Sequence, residues 1–316
     1  MNRRQFLFTA SAGLAAGASK GPLIDAHIHL FDPKRFPYHA NAAYQAPPSP
    51  LEPYLQFVRE AGIDHTIIVH PEPYQDDHRY LEYCFAHEPS PMFFKGTCLF
   101  DPIAPDTPNR MADLVKRNPK RIVALRIHTN RTAGVAPTTS GPIRDRDLKH
   151  PMVRTAIRKA HDLGLGIQMH MIPLHAPEVA ALAREFSDTK FFIDHLARSG
   201  QGTPEQYNNV LSMARLGNVY MKFSGWGYSS KEKAPFRDIK PLVRRTFDAF
   251  GPAHMMWGGL GHSMKEFREA QNVFDEAFDF ASDGDRSQIR GLTAARVFGW
   301  SESGGSEPRN LRGRVG

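Results

Sequence analysis

Residues 23–31 read LIDAHIHLF, and the polar Asp25, His27 and His29 alternate with the apolar Ile24, Ala26, Ile28 and Leu30. Side chains alternate across a strand, so this period predicts one β-strand that carries Asp25, His27 and His29 on a single face, with both histidines at its C-terminal end. Seven further short runs of β-forming residues follow: HTIIVHPE from His65, FFKGTCLF from Phe93, IVALRIHT from Ile122, GIQMHMIP from Gly166, KFFIDHL from Lys190, NVYMKFSG from Asn218 and HMMWGGL from His254. Longer amphipathic runs lie between them, among them PLEPYLQFVREAG, HPMVRTAIRKAHDLG and SMKEFREAQNVFDEAFDFAS, and several start near Pro, Asp, Ser or Thr and stop at Gly. A final helical run, DRSQIRGLTAARVFGW, closes the series. Eight β/α pairs in 316 residues favour one closed (β/α)8 TIM barrel over an open doubly wound sheet, and no GxGxxG turn follows the first strand. The barrel is expected to span residues 23–300.

The flanks read differently. MNRRQFLFTASAGLAAGAS joins a twin arginine, Arg3 and Arg4, to a short apolar run and small residues, which predicts a twin-arginine export signal over residues 1–19 and delivery of a folded protein to the periplasm by the export machinery. The apolar run is too short to span a bilayer. The tail SESGGSEPRNLRGRVG, residues 301–316, is rich in Gly, Ser and Arg and is expected to be disordered. The formal charge is +7, but basic residues cluster at the two ends and otherwise mix with Asp and Glu, which argues against nucleic-acid binding and for attraction of acidic small molecules. Cys84 and Cys98 form no CxxC and read as buried apolar residues, with a disulfide between them in an oxidising compartment as the alternative. Two Pro-rich connections, DPKRFPYHANAAYQAPPSP after strand one and NRTAGVAPTTSGPIRDRDLKHP after strand four, belong to the face where barrels build active sites.

The histidines concentrate on that same face. Arg126 and His128 share a face of strand four, Gln168 and His170 share one of strand five, His195 ends strand six, His70 ends strand two and His262 follows strand eight. In a barrel all these strand ends meet on one rim, which predicts a ring of imidazoles. Clustered imidazoles destabilise a fold unless a metal or an anion compensates, so the ring reads as functional. His65, His78, His87, His150, His161 and His254 fall at element starts and read as structural.

In DAHIHLF, ALRIHTN, QMHM, IDHLAR and NVYMKFSG, taken in that order, the sequence resembles the amidohydrolase superfamily, and within it the amidohydrolase-2 group of sugar-lactone and 2-pyrone-4,6-dicarboxylate lactonases and some decarboxylases. The resemblance implies that His27 and His29 bind a divalent metal, Zn or Mn, or in a metal-independent site polarise the substrate carbonyl. It implies that His170 and His195 bind metal or orient substrate, and that Arg126, with His128, holds a substrate carboxylate. The chain departs from the group at strand eight. Relatives there read WGSDWP, whose aspartate activates water, whereas this chain reads WGGLGHS, with Leu260 at the aspartate's position.

Three readings of the reaction follow from that departure. The first is a hydrolase of a small acidic or sugar-derived lactone or ester in which His262 or the metal activates water. The second is a decarboxylase-type lyase, and the third a non-catalytic barrel that binds a metal or an acidic ligand. The hydrolase reading leads. Lys222 reads as a substrate-binding rim residue rather than a Schiff-base lysine, and Ser224 lies in no nucleophile elbow. Asp25 and Asp194 read as partners that orient the imidazoles. The oligomeric state is not legible.

Overall fold

The computed structural model describes residues 21–300; the export signal and the tail anticipated above lie outside the described residues. Eight strands pair in parallel, in chain order: β1 (Ile24–Ile28), β2 (His65–Val69), β3 (Phe94–Leu99), β4 (Ile122–Thr129), β5 (Gly166–Met171), β6 (Phe191–Ile193), β7 (Val219–Phe223) and β8 (Met255–Trp257). Eight main helices alternate with them: α1 (Leu51–Ala61), α2 (Arg79–Ala86), α3 (Thr107–Arg117), α4 (Pro151–Asp162), α5 (Ala176–Glu185), α6 (Pro204–Ser212), α7 (Lys240–Phe250) and α8 (Met264–Ala277). The chain is a (β/α)8 barrel. The run read as one final helix is instead three short pieces, Asp283–Ser287, a π-helical Gln288–Leu292 and Thr293–Phe298.

Alternation along the strands divides the interior into two levels. Ile24, Ala26, Ile67, Val69, Ala124, Phe192, Tyr220 and Met256 form an apolar lower level, closed by Ala294, Ala295 and Phe298 of the last helix and by Trp300 just beyond it. Two residues further along their strands the inward positions become Arg126, Asp194 and Lys222, all buried. Outside the strands a second, larger apolar layer packs them against the helices.

The strand that opened the sequence reading is not regular. Three steps of β1, Asp25 to Ile28, oppose two steps of β2, Thr66 to Ile68, so a bulge interrupts the ladder. The bulge changes the phase of alternation: Asp25 shares a face with Ile28, and the expectation that it points with His27 and His29 is corrected. Asp25 instead reaches the other edge of the barrel. Among the described residues no ladder bonds join β8 to β1; the Asp25 carboxylate bridges that seam by accepting from the backbone N–H of Gly259 at 2.8 Å and of Leu260 at 3.1 Å, and it also accepts from His27 N–H at 3.0 Å. Burial pushes its pKa up to about 6, and these three N–H donors and Lys222 hold it from going higher.

Candidate active site

Five histidines from four strand ends form one continuous array. Neighbouring ring centroids are 5.0 Å apart for His29 and His27, 4.4 Å for His27 and His195, 5.4 Å for His195 and His170, and 5.1 Å for His170 and His128. His29 and His195 lie just past the ends of β1 and β6, and the turn that carries His195 is unusual. His195, Leu196, Ala197 and Arg198 all take left-handed backbone angles, φ +51° to +57°. Such residues cost about 1–2 kcal/mol each relative to right-handed ones, and the fully buried side chains of Leu196 and Ala197 help to hold the turn against that strain. It brings Arg198 back over the array, with its Nη1 3.5 Å from His170 Nε2 and its guanidinium 4.1 Å above the Tyr228 ring.

Beneath the array lies the buried charged level. Asp194 Oδ2 accepts from Arg126 Nε at 3.2 Å, Arg126 Nη2 at 3.0 Å and Gln168 Nε2 at 3.0 Å. Lys222 Nζ donates to Gln168 Oε1 at 2.9 Å and lies 3.6 Å from Asp194 Oδ1. Burial works against the Asp194 carboxylate, yet His27, Lys222 and Arg126 hold its pKa well below the usual range. Burial lowers Lys222 to about 8. It also lowers every imidazole of the array: His195 to about 4, His29 to about 3, and His27, His128 and His170 well below the ordinary histidine value. All five are therefore neutral at pH 7 and available as ligands or proton acceptors.

The protons of this array do not balance without a cation. His29 Nδ1 lies 2.7 Å from the Val69 carbonyl, which only accepts, so the proton sits on Nδ1 and the lone pair on Nε2. His27 faces that lone pair with its Nε2 at 3.3 Å and faces Asp194 Oδ1 with its Nδ1, also at 3.3 Å. A neutral His27 has one proton, so one of its two approaches sets acceptor against acceptor. A divalent cation held by the two Nε2 lone pairs would remove the conflict and leave the His27 proton on Nδ1, facing Asp194. Among the described residues His27, Asp194 and His195 also bring metal-ligating atoms within 4.8 Å of one another. The donor set fits a divalent metal.

The strand-eight loop shows where the other expected residues fall. Gly259 and Gly261 take φ of +74° and +94° and turn the chain inward, so that His262 lines a cavity of about 590 Å³ with His27, His29, His195 and Ser224. His262 Nε2 donates to the His29 carbonyl at 2.8 Å, which leaves the lone pair on Nδ1. Leu260, by contrast, is fully buried in the layer between strands and helices and does not line the cavity. Gly258 abuts His27 so closely that a Cβ there would lie 2.7 Å from its N.

His128 and His170 take their places at the far end of the array. Arg126, expected to offer its guanidinium to a substrate carboxylate, is 3% exposed and has Nε and Nη2 engaged by Asp194. Lys222 is not a rim residue: it is fully buried below the histidines, one residue short of the end of β7, where its side chain meets Gln168 and Asp194 inside the barrel. His70, placed on the ring by its strand end, leaves it; it bonds the Gln75 carbonyl at 2.9 Å and packs against His78 at 4.3 Å. His170 stands outside the convergent set, where Asp194 takes a place. The sequence reading missed Arg198, three residues after His195 in IDHLAR, and the aromatic side chains Phe31, Trp226, Tyr228 and Phe236 that line the cavity. Cys84 and Cys98 are buried and unpaired.

A parallel (β/α)8 barrel with histidines on the strand-one and strand-six ends around one cavity defines an amidohydrolase-type enzyme. Residues 24–300 match the family described as Amidohydrolase, Amidohydro_2, and the chain belongs to it. It is 28% identical over 246 residues to an L-fucono-1,5-lactonase from Burkholderia ambifaria, covering 74% of this chain and 78% of the relative. It is 25% identical over 288 residues to a 4-sulfomuconolactone hydrolase from Hydrogenophaga intermedia, covering 87% and 88%. An amidohydrolase from Burkholderia multivorans solved with bound zinc shares the fold at TM-score 0.66 and 18% identity, over 89% of this chain and all of that one. So does an Acinetobacter baumannii protein solved with citric acid bound, at TM-score 0.71 and 19% identity, over 88% and 99%.

Proposed function

We propose that the chain hydrolyses a small lactone that bears a negative charge. The observation that carries this reading is the array of neutral imidazoles above a charged level in which Arg126 and Lys222 outnumber Asp194, with Arg198 laid across its rim. Water adds to the lactone carbonyl carbon, the ring C–O bond breaks, the released alkoxide takes a proton, and the product is a hydroxy acid. His262 accepts the proton of the water at Nδ1, its tautomer set by the His29 carbonyl. Arg198, whose Nε is buried without a partner, pairs with the substrate anion, a role Arg126 is poorly free to take. His128 and His170 line the path between that anion and the reacting carbonyl.

A divalent ion, Zn or Mn, would be held by His27, His195 and Asp194 with His29 beside them, and the zinc bound in the Burkholderia multivorans relative supports this. When bound it supplies Lewis acidity to the lactone carbonyl. The position of Leu260 outside the cavity supports hydrolysis over a purely binding role, because the rim it leaves open is taken by His262. The Arg3–Arg4 signal of residues 1–19 supports export to the periplasm; loss of periplasmic protein in an Arg3→Lys, Arg4→Lys variant tests that part.

Acid release from a panel of charged and neutral lactones, by chelated protein and by protein supplied with Zn or Mn, tests the function. Turnover of charged lactones that disappears in His195→Ala, and whose KM rises in Arg198→Ala, is the expected result. No turnover of any lactone with either metal overturns it.

A further inference from the structure

The cavity beside the array has two unlike walls. One carries His27, His29, His195 and His262; the other carries Phe31, Trp226 and Phe236, with Tyr228 at the junction, 5.3 Å from the His195 ring. Trp226 and Phe236 lie 6.3 Å apart, and Phe31 lies 6.1 Å from His29. These rings are partly open to the cavity rather than sealed in the core. The Trp226 Nε1 is buried, so the indole does not offer its N–H to a ligand. Of the two side-chain hydroxyls that line the cavity, Ser224 Oγ lies 2.9 Å from His195 Nδ1, and the Tyr228 phenol stands at the junction with the histidine wall.

A polyhydroxylated ring placed against this wall would bury hydroxyls without partners, which costs about 1–3 kcal/mol for each. Flat apolar surface placed there gains from burial and from offset or edge contacts with the rings. The volume, about 590 Å³, lies in the range of about 300–1,000 Å³ that encloses ligands well beyond a bare lactone ring. We propose that the substrate is an aryl-bearing lactone: its carbonyl meets the histidines while an aromatic substituent packs against Phe31, Trp226 and Phe236. This rests on the lactone-hydrolase reading and narrows it to charged lactones that also carry an aromatic group.

The test uses δ-lactones that carry the same carboxylate and differ only in bearing phenyl or methyl on the carbon next to the ring oxygen, with a sugar-acid δ-lactone beside them. The phenyl compound is expected to show a KM lower by about tenfold or more. Trp226→Ala and Phe236→Ala should each shrink that gap, and Trp226→Phe should keep it. Equal KM values for phenyl and methyl, or preference for the sugar lactone, overturn the proposal. Calorimetric binding of the phenyl and methyl hydroxy-acid products reads the same wall without turnover. An enzyme that hydrolyses no lactone but binds the phenyl acid tighter by that factor retains the aromatic wall and loses the hydrolase reading; equal binding removes the wall.

Discussion

The two levels of the barrel interior are built by the same strands, two residues apart, and have opposite chemistry. Ala124 is followed by Arg126, Phe192 by Asp194, Tyr220 by Lys222. The lower level is a dry plug under the last helix; the upper level holds a carboxylate, a guanidinium and an ammonium with almost no access to water. Buried ions of this kind contribute little net stability, and their removal one at a time is costly because partners are left unpaired. Stability is thus assigned to the lower level and chemistry to the upper, although both form part of one barrel.

Asp194→Ala breaks this division most severely. It leaves Arg126 and Lys222 buried without their anion and His27 Nδ1 without its acceptor, so a loss of about 3–5 kcal/mol in denaturant unfolding is expected together with loss of turnover. A variant of wild-type stability would show that the charged level is not held together by this carboxylate. Phe192→Ala, one step below, should cost a comparable or slightly smaller amount, about 3–5 kcal/mol, through the cavity it leaves. Its kcat and KM at a temperature where it stays folded should match the parent. An altered kcat would mean that the two levels are mechanically coupled.

Acid should act on the upper level with a defined sign. The array histidines and His70, itself lowered to about 4 by burial, bind fewer protons folded than unfolded between their depressed values and about 6.5. Each therefore contributes stability that is present above pH 6.5 and is lost, by about 1.4 kcal/mol per pH unit, as the pH falls toward its folded value. Asp25, raised to about 6, acts the other way between about pH 4 and 6 and offsets one such proton. Unfolding free energy measured from pH 7 to 5 should fall by more than one of these increments per unit, and His70→Gln should remove one. A flat profile would contradict the neutral array.

The smallest effect separates two adjacent glycines. Gly259→Ala meets nothing closer than 3.8 Å and pays only for its positive φ, about 1 kcal/mol, with activity kept. Gly258→Ala drives a methyl group into the His27 backbone and should lower kcat sharply. Equal activities would show that the approach of the strand-eight loop does not position His27.

Periodicity and element count, read from the chain alone, determined the barrel and the face on which the histidines gather: eight runs of strand character alternate with eight helical ones, and His27, His29, His128, His170 and His195 stand at strand ends. The matching motifs also determined the family. Tertiary structure decided what spacing cannot encode. A bulge in β1 sent Asp25 to the barrel seam, because one extra residue reverses every later side chain. A turn through Gly259 and Gly261 hid Leu260 in the outer core and delivered His262 to the cavity, and a left-handed turn brought Arg198 back across the histidines. Each of these depends on backbone angles imposed by neighbours distant in sequence, so the residues themselves were visible from the start while their directions were not.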